Sequence, residues 1–185
     1  MTAAQTIAWH ALLDLYERKP TGWTLVGGQM VYLHCAERGG TPVRPTDDAD
    51  TVLDVRADPG ILRDVTSQLV SLGFEPEGTS PQGHQHRWRK GAAVIDVLIP
   101  ENLGERASSR TGAGGGTTIA TPAAQQALDR TMAVAVSVGG RQGVGAAPQP
   151  AGEPGRQGRR LRRPVGPRPY PPPHRPPGAC HARAP

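Results

Sequence analysis

The chain is short of cysteine, of long apolar runs and of an export pattern at its start, and each shortage removes a class of protein. Two cysteines in 185 residues, Cys35 and Cys180, make neither a disulfide framework nor a metal-ligand spacing. A reduced, cytoplasmic protein is the expectation. No apolar run approaches the roughly 20 residues that span a bilayer, and the opening Met1–Gln5 is polar rather than basic-then-apolar. No membrane partner is expected. Basic charge is plentiful, with a net of +5 and a pI near 9.9, but it is unevenly spread. Of 21 Lys and Arg, nine arginines lie from Arg141 onward beside a single acid, Glu153, together with 12 of the 20 prolines. Positions 1–140 keep 12 basic residues against 15 acidic ones. The basic balance therefore belongs to a Pro/Arg/Gly stretch, and the rest of the chain is mildly acidic. A DNA-binding domain does not follow from the pI.

Hydrophobic spacing supplies the elements. Residues 3–18 read as an amphipathic helix through Ile7, Ala11, Leu12 and Leu15, stopped before Pro20. Trp23 to Val26 reads as a buried strand turning at Gly27-Gly28 into a helix over Gln29 to Arg38. After a loop holding Pro42 and Pro45 comes a strand over Asp50 to Arg56, and then a helix opened by Asp58-Pro59. That helix has Ile61, Leu62, Val65, Leu69 and Leu72 on one face and ends at Gly73. His86 to Lys90 and Ala92 to Ile99 read as a hairpin turning at Lys90-Gly91. A glycine-rich loop at Gly112–Gly116, a strand-like Thr117–Ala120, a short helical piece at Pro122–Leu128 and a strand over Met132–Val138 complete the pattern. The expected fold is α/β, a mixed sheet flanked by helices. The expected organisation is a folded core over 1–139 and a disordered tail over 140–185.

Three features carry chemistry. Gly27-Gly28 joins a strand to a helix; such glycines let backbone approach a phosphate, and a helix start offers it free amides. The same pattern also serves a plain strand-to-helix turn. Asp48 and Asp50 alternate along an extended segment, so their carboxylates share one side and call for a cation, with Mg²⁺ suited to hard oxygen donors. A solvated acidic loop is the other reading. Asp96 interrupts an otherwise apolar strand, Val94 to Ile99, where burial demands a partner or a metal; a solvated edge would equally tolerate it. Together the three aspartates form a carboxylate set of the kind that serves two-metal phosphoryl chemistry. His84, His86 and Arg87 precede that strand and are candidates to face an acceptor. Trp9, Trp23 and Trp88 read as packing residues.

The succession Leu25-Val26-Gly27-Gly28-Gln29, then Arg44-x-Thr46-x-Asp48-Ala49-Asp50, then Val94-Ile95-Asp96-Val97-Leu98 resembles the nucleotidyltransferases grouped with the AbiEii/AbiGii toxins, in the DNA-polymerase-beta-like superfamily. The resemblance runs from about Trp23 to Val138. It implies a nucleotidyltransferase-fold mixed sheet, with Gly27, Gly28, Gln29, Arg44 and Thr46 at the nucleotide. Asp48, Asp50 and Asp96 are then catalytic residues and ligands of Mg²⁺ in a two-metal site. It also implies an NTP substrate, an acceptor such as tRNA or protein, and an antitoxin partner.

Family members continue into a helical C-terminal region, whereas this chain turns to Pro, Arg, Gly and Ala from about Gly140. Such a composition buries too little apolar surface to fold. Sliding the codons of Pro148 to Arg160 by one base permits Ser-Leu-Leu-Gly-Ser-Leu-Val-Gly-Arg-Ala-Ala-Ala, a helix former, so the tail is expected to be a frameshift product. Three functions compete on this reading: a Mg²⁺-dependent toxin-type nucleotidyltransferase, a catalytically inactive remnant of one, and an RNA-binding protein acting through the basic tail.

Overall fold

A computed structural model describes residues 1–40 and 46–150. Helix α1 (Ala3–Arg18) starts at a capping box, in which the Gln5 amide donates to the Thr2 hydroxyl and the Thr2 amide donates to the Gln5 side chain. Strand β1 (Trp23–Val26) leads directly into α2 (Gly27–Glu37). Then follow β2 (Asp48–Leu53), α3 (Ile61–Ser71), β3 (Glu75–Pro76), β4 (Arg87–Lys90), β5 (Ala93–Pro100), α4 (Glu105–Ser108), β6 (Ile119–Thr121), α5 (Ala124–Asp129), β7 (Thr131–Val138) and β8 (Arg141–Pro148). This is the mixed α/β architecture expected from the sequence.

Six strands form one mixed sheet in the order β1-β2-β5-β4-β3, with β6 also paired to β5. The β2/β5 and β5/β6 pairs are parallel and the others antiparallel. All eight residues of β5 are buried, as a central strand covered on both faces must be. Alternation then assigns the two faces. Ala49, Leu53, Ile95, Val97 and Ile99 join the main core with Trp9, Leu12 and Leu15 of α1 and Ile61, Val65 and Leu69 of α3. Asp48, Asp50, Val52, Asp96 and Leu98 take the opposite face, where α5 covers only Val52 and Leu98 through Ala124 and Leu128. The aspartates are thus left on the part of that face α5 does not reach.

Two helix boundaries move relative to expectation. Gly27 has φ of +64° and begins α2 two residues early. At α3 the Asp58 carboxylate accepts from the Gly60 amide at 3.0 Å, so a turn precedes a helix that starts at Ile61 rather than at Pro59.

Ordered structure also continues past the 139/140 boundary. Gly139 and Gly140, with φ of +56° and +80°, turn the chain so that β8 pairs with β7 along their full lengths. Ala146 and Ala147 are buried in the main core. Arg141 donates to Asp14 at 2.6 Å and to Glu17 at 3.0 Å on α1, and His34 of α2 donates to the Pro148 carbonyl at 2.9 Å. Small side chains make this packing feasible: a Cβ at Gly143 would stand 3.0 Å from a Leu13 methyl. The compact unit takes in the described residues up to Pro150. Among the described residues no helix is long and apolar enough to cross a membrane.

Candidate active site

Register brings the acidic residues together. Val26 on β1 faces Asp50 on β2, Asp50 faces Asp96 on β5, and Asp96 faces Arg87 on β4. Three charged side chains therefore form one row across three adjacent strands, and Asp48 lies two residues back on the same face as Asp50. Directly opposed residues in a sheet stand within about 5.5 Å of each other at Cβ, so like charges here interact strongly.

Arg87 answers part of that charge. Its Nε donates to Asp96 Oδ1 at 2.9 Å and its Nη2 to Oδ2 at 2.8 Å, a two-bond fork, while Nη2 also reaches Asp48 Oδ2 at 3.4 Å. Those bonds, the Asp96 ones above all, hold the guanidinium charged beyond its ordinary tendency. The fork accounts for a carboxylate only 7% exposed in the middle of an apolar strand: an unpaired charge there would cost several kcal/mol, roughly. Arg87 is thereby a partner of the third carboxylate, a role its place in the sequence did not signal beyond standing near the Asp96 strand. The two-residue Gly91-Ala92 turn puts Arg87 opposite Asp96, whereas the expected Lys90-Gly91 turn would have put it opposite Val94.

Asp50 is answered least. Burial first, then the charges of Asp96 and Asp48, push its carboxyl up to about 6, and Arg87 offsets this only in part. Among the described residues no hydrogen bond or ion pair reaches the Asp50 carboxylate. Gly27 packs directly against it: a Cβ on that glycine would strike the Asp50 carboxylate, with Cγ at 2.9 Å. A Cβ on Gly28 would likewise strike Thr46. The glycine pair thus has a steric reason rooted in the acidic loop, independent of any phosphate.

The remaining expected site residues divide. Gln29 is buried, accepting from Trp9 Nε1 at 2.8 Å and donating to the Thr46 carbonyl, which Gln5 also reaches at 2.7 Å. Asp47 accepts from the Thr2 hydroxyl at 2.8 Å. Gln5, Gln29 and Thr2 so pin the segment that presents Asp48, and Gln29 has both ends of its amide engaged in that bracing. Arg44 and Cys180 lie outside the described residues. His84 bonds Thr117 at 2.8 Å, and the His86 Nδ1 is buried without a partner. Trp9, Trp23 and Trp88 are all packed in the core.

Beside the row opens a cavity of about 520 Å³, in the size range of small-molecule sites, whose lining includes Gly27, Met30, Asp50, Val52, Leu98 and Arg130. Asp50 is the one member of the carboxylate row that lines it. Among the described residues no three of His, Cys, Asp and Glu come together as a ready metal-ligand set. The donor chemistry at Asp48 and Asp50 still suits one magnesium ion, which typically uses one or two carboxylates and takes its other ligands from phosphates and water. A crowded carboxylate raised to about 6 is the observation that favours a cation there.

A scan of known protein families and a search of curated proteins found no match. A solved solution structure of the antibiotic-resistance factor ANT(2'')-Ia is similar at 15% identity, over 65% of this chain and 67% of that one, with a TM-score of 0.38.

Proposed function

We propose that this chain is a Mg²⁺-dependent nucleotidyltransferase, acting on an NTP with Asp48, Asp50 and Asp96 as its working carboxylates. The observation that carries the reading is the row Asp50–Asp96–Arg87 on one sheet face, with Asp48 beside it and a cavity of about 520 Å³ at Asp50. A bound magnesium ion would supply charge neutralisation for the triphosphate and the leaving pyrophosphate. The chain's own part is positional. Asp48 and Asp50 present oxygens from one side of β2, and Gly27 leaves Asp50 unobstructed. Arg87 fixes Asp96 on the same face through its two-bond fork. The acceptor oxygen bonds to the α-phosphorus, the bond to pyrophosphate breaks, and the hydroxyl proton passes to the carboxylate row.

Motif order carries the finer reading: a toxin-type enzyme with tRNA or protein as acceptor and an antitoxin as partner. A second reading, an inactive remnant, draws on the engagement of both Asp96 oxygens by Arg87. One experiment separates them. Thermal unfolding of the full chain is followed with Mg²⁺ and each of four NTPs, beside Asp48→Asn. A ligand confined to the folded state adds about 2.7 kcal/mol at a hundredfold excess over Kd. A Mg²⁺-dependent shift with an NTP, lost in Asp48→Asn, followed by transfer of α-labelled nucleotide to tRNA or protein, is expected. Binding without any transfer, or no shift with any NTP, sinks the enzyme reading and supports the remnant.

A further inference from the structure

A guanidinium stands in the row where a two-metal site would need a second cation. Both oxygens of Asp96 are engaged by Arg87, at 2.9 and 2.8 Å, and the Asp96 side chain is only 9% exposed, so few directions remain from which an ion could reach it. A carboxylate oxygen has a second lone pair, and sharing it with a metal is sterically conceivable. Sharing would, however, hold a dication against a guanidinium in a partly buried setting, where repulsion is weakly screened. The forked pair is also geometrically matched and among the stronger charge-assisted bonds. Asp48 and Asp50 differ. Asp48 makes only a 3.4 Å contact to Arg87 and its side chain is 42% exposed, while Asp50 has no partner among the described residues and opens to the cavity. Charge count agrees, since one guanidinium and one divalent ion balance three carboxylates.

We propose that Arg87 takes the place of a second metal ion: before nucleotide binds, the site takes one divalent cation, at Asp48 and Asp50. Asp96 is then a positioning residue that acts through its fork with Arg87. The inference rests on the nucleotidyl-transfer reading and narrows it, replacing the two-metal arrangement implied by motif order with one metal and one arginine.

The test is a titration of the full-length chain with Mn²⁺ alone, free ion being read by electron paramagnetic resonance. One Mn²⁺ per wild-type chain is expected. Arg87→Met and Arg87→Gln, checked for folding by circular dichroism, each gain a second, and the double variant Arg87→Gln/Asp96→Asn returns to one. Arg87→Gln keeps one hydrogen bond to Asp96 and decides the matter should the methionine variant not fold. Two ions on the wild-type chain, or a folded Arg87→Gln still holding one, overturns the role of Arg87 and leaves the enzyme reading standing. An absence of Mn²⁺ binding in the wild type and in every variant removes that reading, and this inference with it.

Discussion

Asp50 concentrates the electrostatic cost of the site. Its carboxyl, ordinarily at 3.8, is raised to about 6 by burial first and by Asp96 and Asp48 next. The sign of the linkage follows: the folded chain holds a proton that the unfolded chain releases, so stability is greatest below pH 3.8 and falls as pH rises towards 6. The penalty is complete at neutral pH. Asp50→Asn removes it, and the metal-free variant should be more stable than wild type at pH 7.5 by about 1 kcal/mol, discounted for partial exposure. Thermal unfolding at pH 7.5 and pH 4 checks this, since the difference should close at the lower pH. Equal stability at both would refute charge crowding at Asp50. Gly27 belongs to the same argument. An alanine there must adopt φ of +64°, at about 1–2 kcal/mol, and must also displace the Asp50 carboxylate. Urea midpoints should show Gly27→Ala destabilised, with part of the loss recovered in Gly27→Ala/Asp50→Ala, because the steric component needs both partners. Purely additive losses would mean that the two residues do not meet.

At the scale of elements, β8 is the instructive case. Composition marks everything after Gly140 as unable to fold, yet Arg141–Pro148 is a strand whose second half, from Gly145, is buried. Its glycines and alanines are few in apolar atoms but small, and that lets β8 lie close against Leu13 and Trp9 of α1. The double-glycine turn brings it back antiparallel to β7. A chain cut after Gly140 should therefore lose cooperative unfolding. It uncovers Trp9 and Leu13, each worth about 1.5–3 kcal/mol of burial, against a total stability of roughly 5–15. A chain cut after Glu153, just past the last described residue, should melt within a few degrees of the full chain. Calorimetry of the two truncations distinguishes them, and a cooperative transition in the shorter one would show β8 to be dispensable. The longer truncation also isolates the basic tail: salt-dependent RNA binding that disappears with it would support the tail-borne reading.

For the whole molecule, the sheet decides what the aspartates can do together. Helix α1, strand β1, the β4/β5 hairpin and β7 were legible because each is local: periodicity, a capping residue, a glycine or proline stop. The grouping of Asp48, Asp50 and Asp96 was legible as motif order, and alternation alone put Asp48 and Asp50 on one side. The row itself was not. It depends on the parallel pairing of β2 with β5, made by chain segments far apart in sequence, and a shift of one residue in that register would turn Asp96 into the core. Arg87→Met should accordingly destabilise the metal-free protein by about 1.5–3 kcal/mol, since it leaves a nearly buried carboxylate unpaired, and urea unfolding measures it. An unchanged midpoint would mean that the fork contributes nothing in solution. Sequence by itself determined helices α1 to α3, strands β1, β4, β5 and β7, and the identity of the acidic residues, because local spacing and side-chain chemistry are properties of neighbours along the chain. Tertiary structure alone decided that Arg87 meets Asp96, that Gln29 braces Thr46 and that β8 is part of the fold, because burial and cross-strand contact depend on which distant segments come to share a surface.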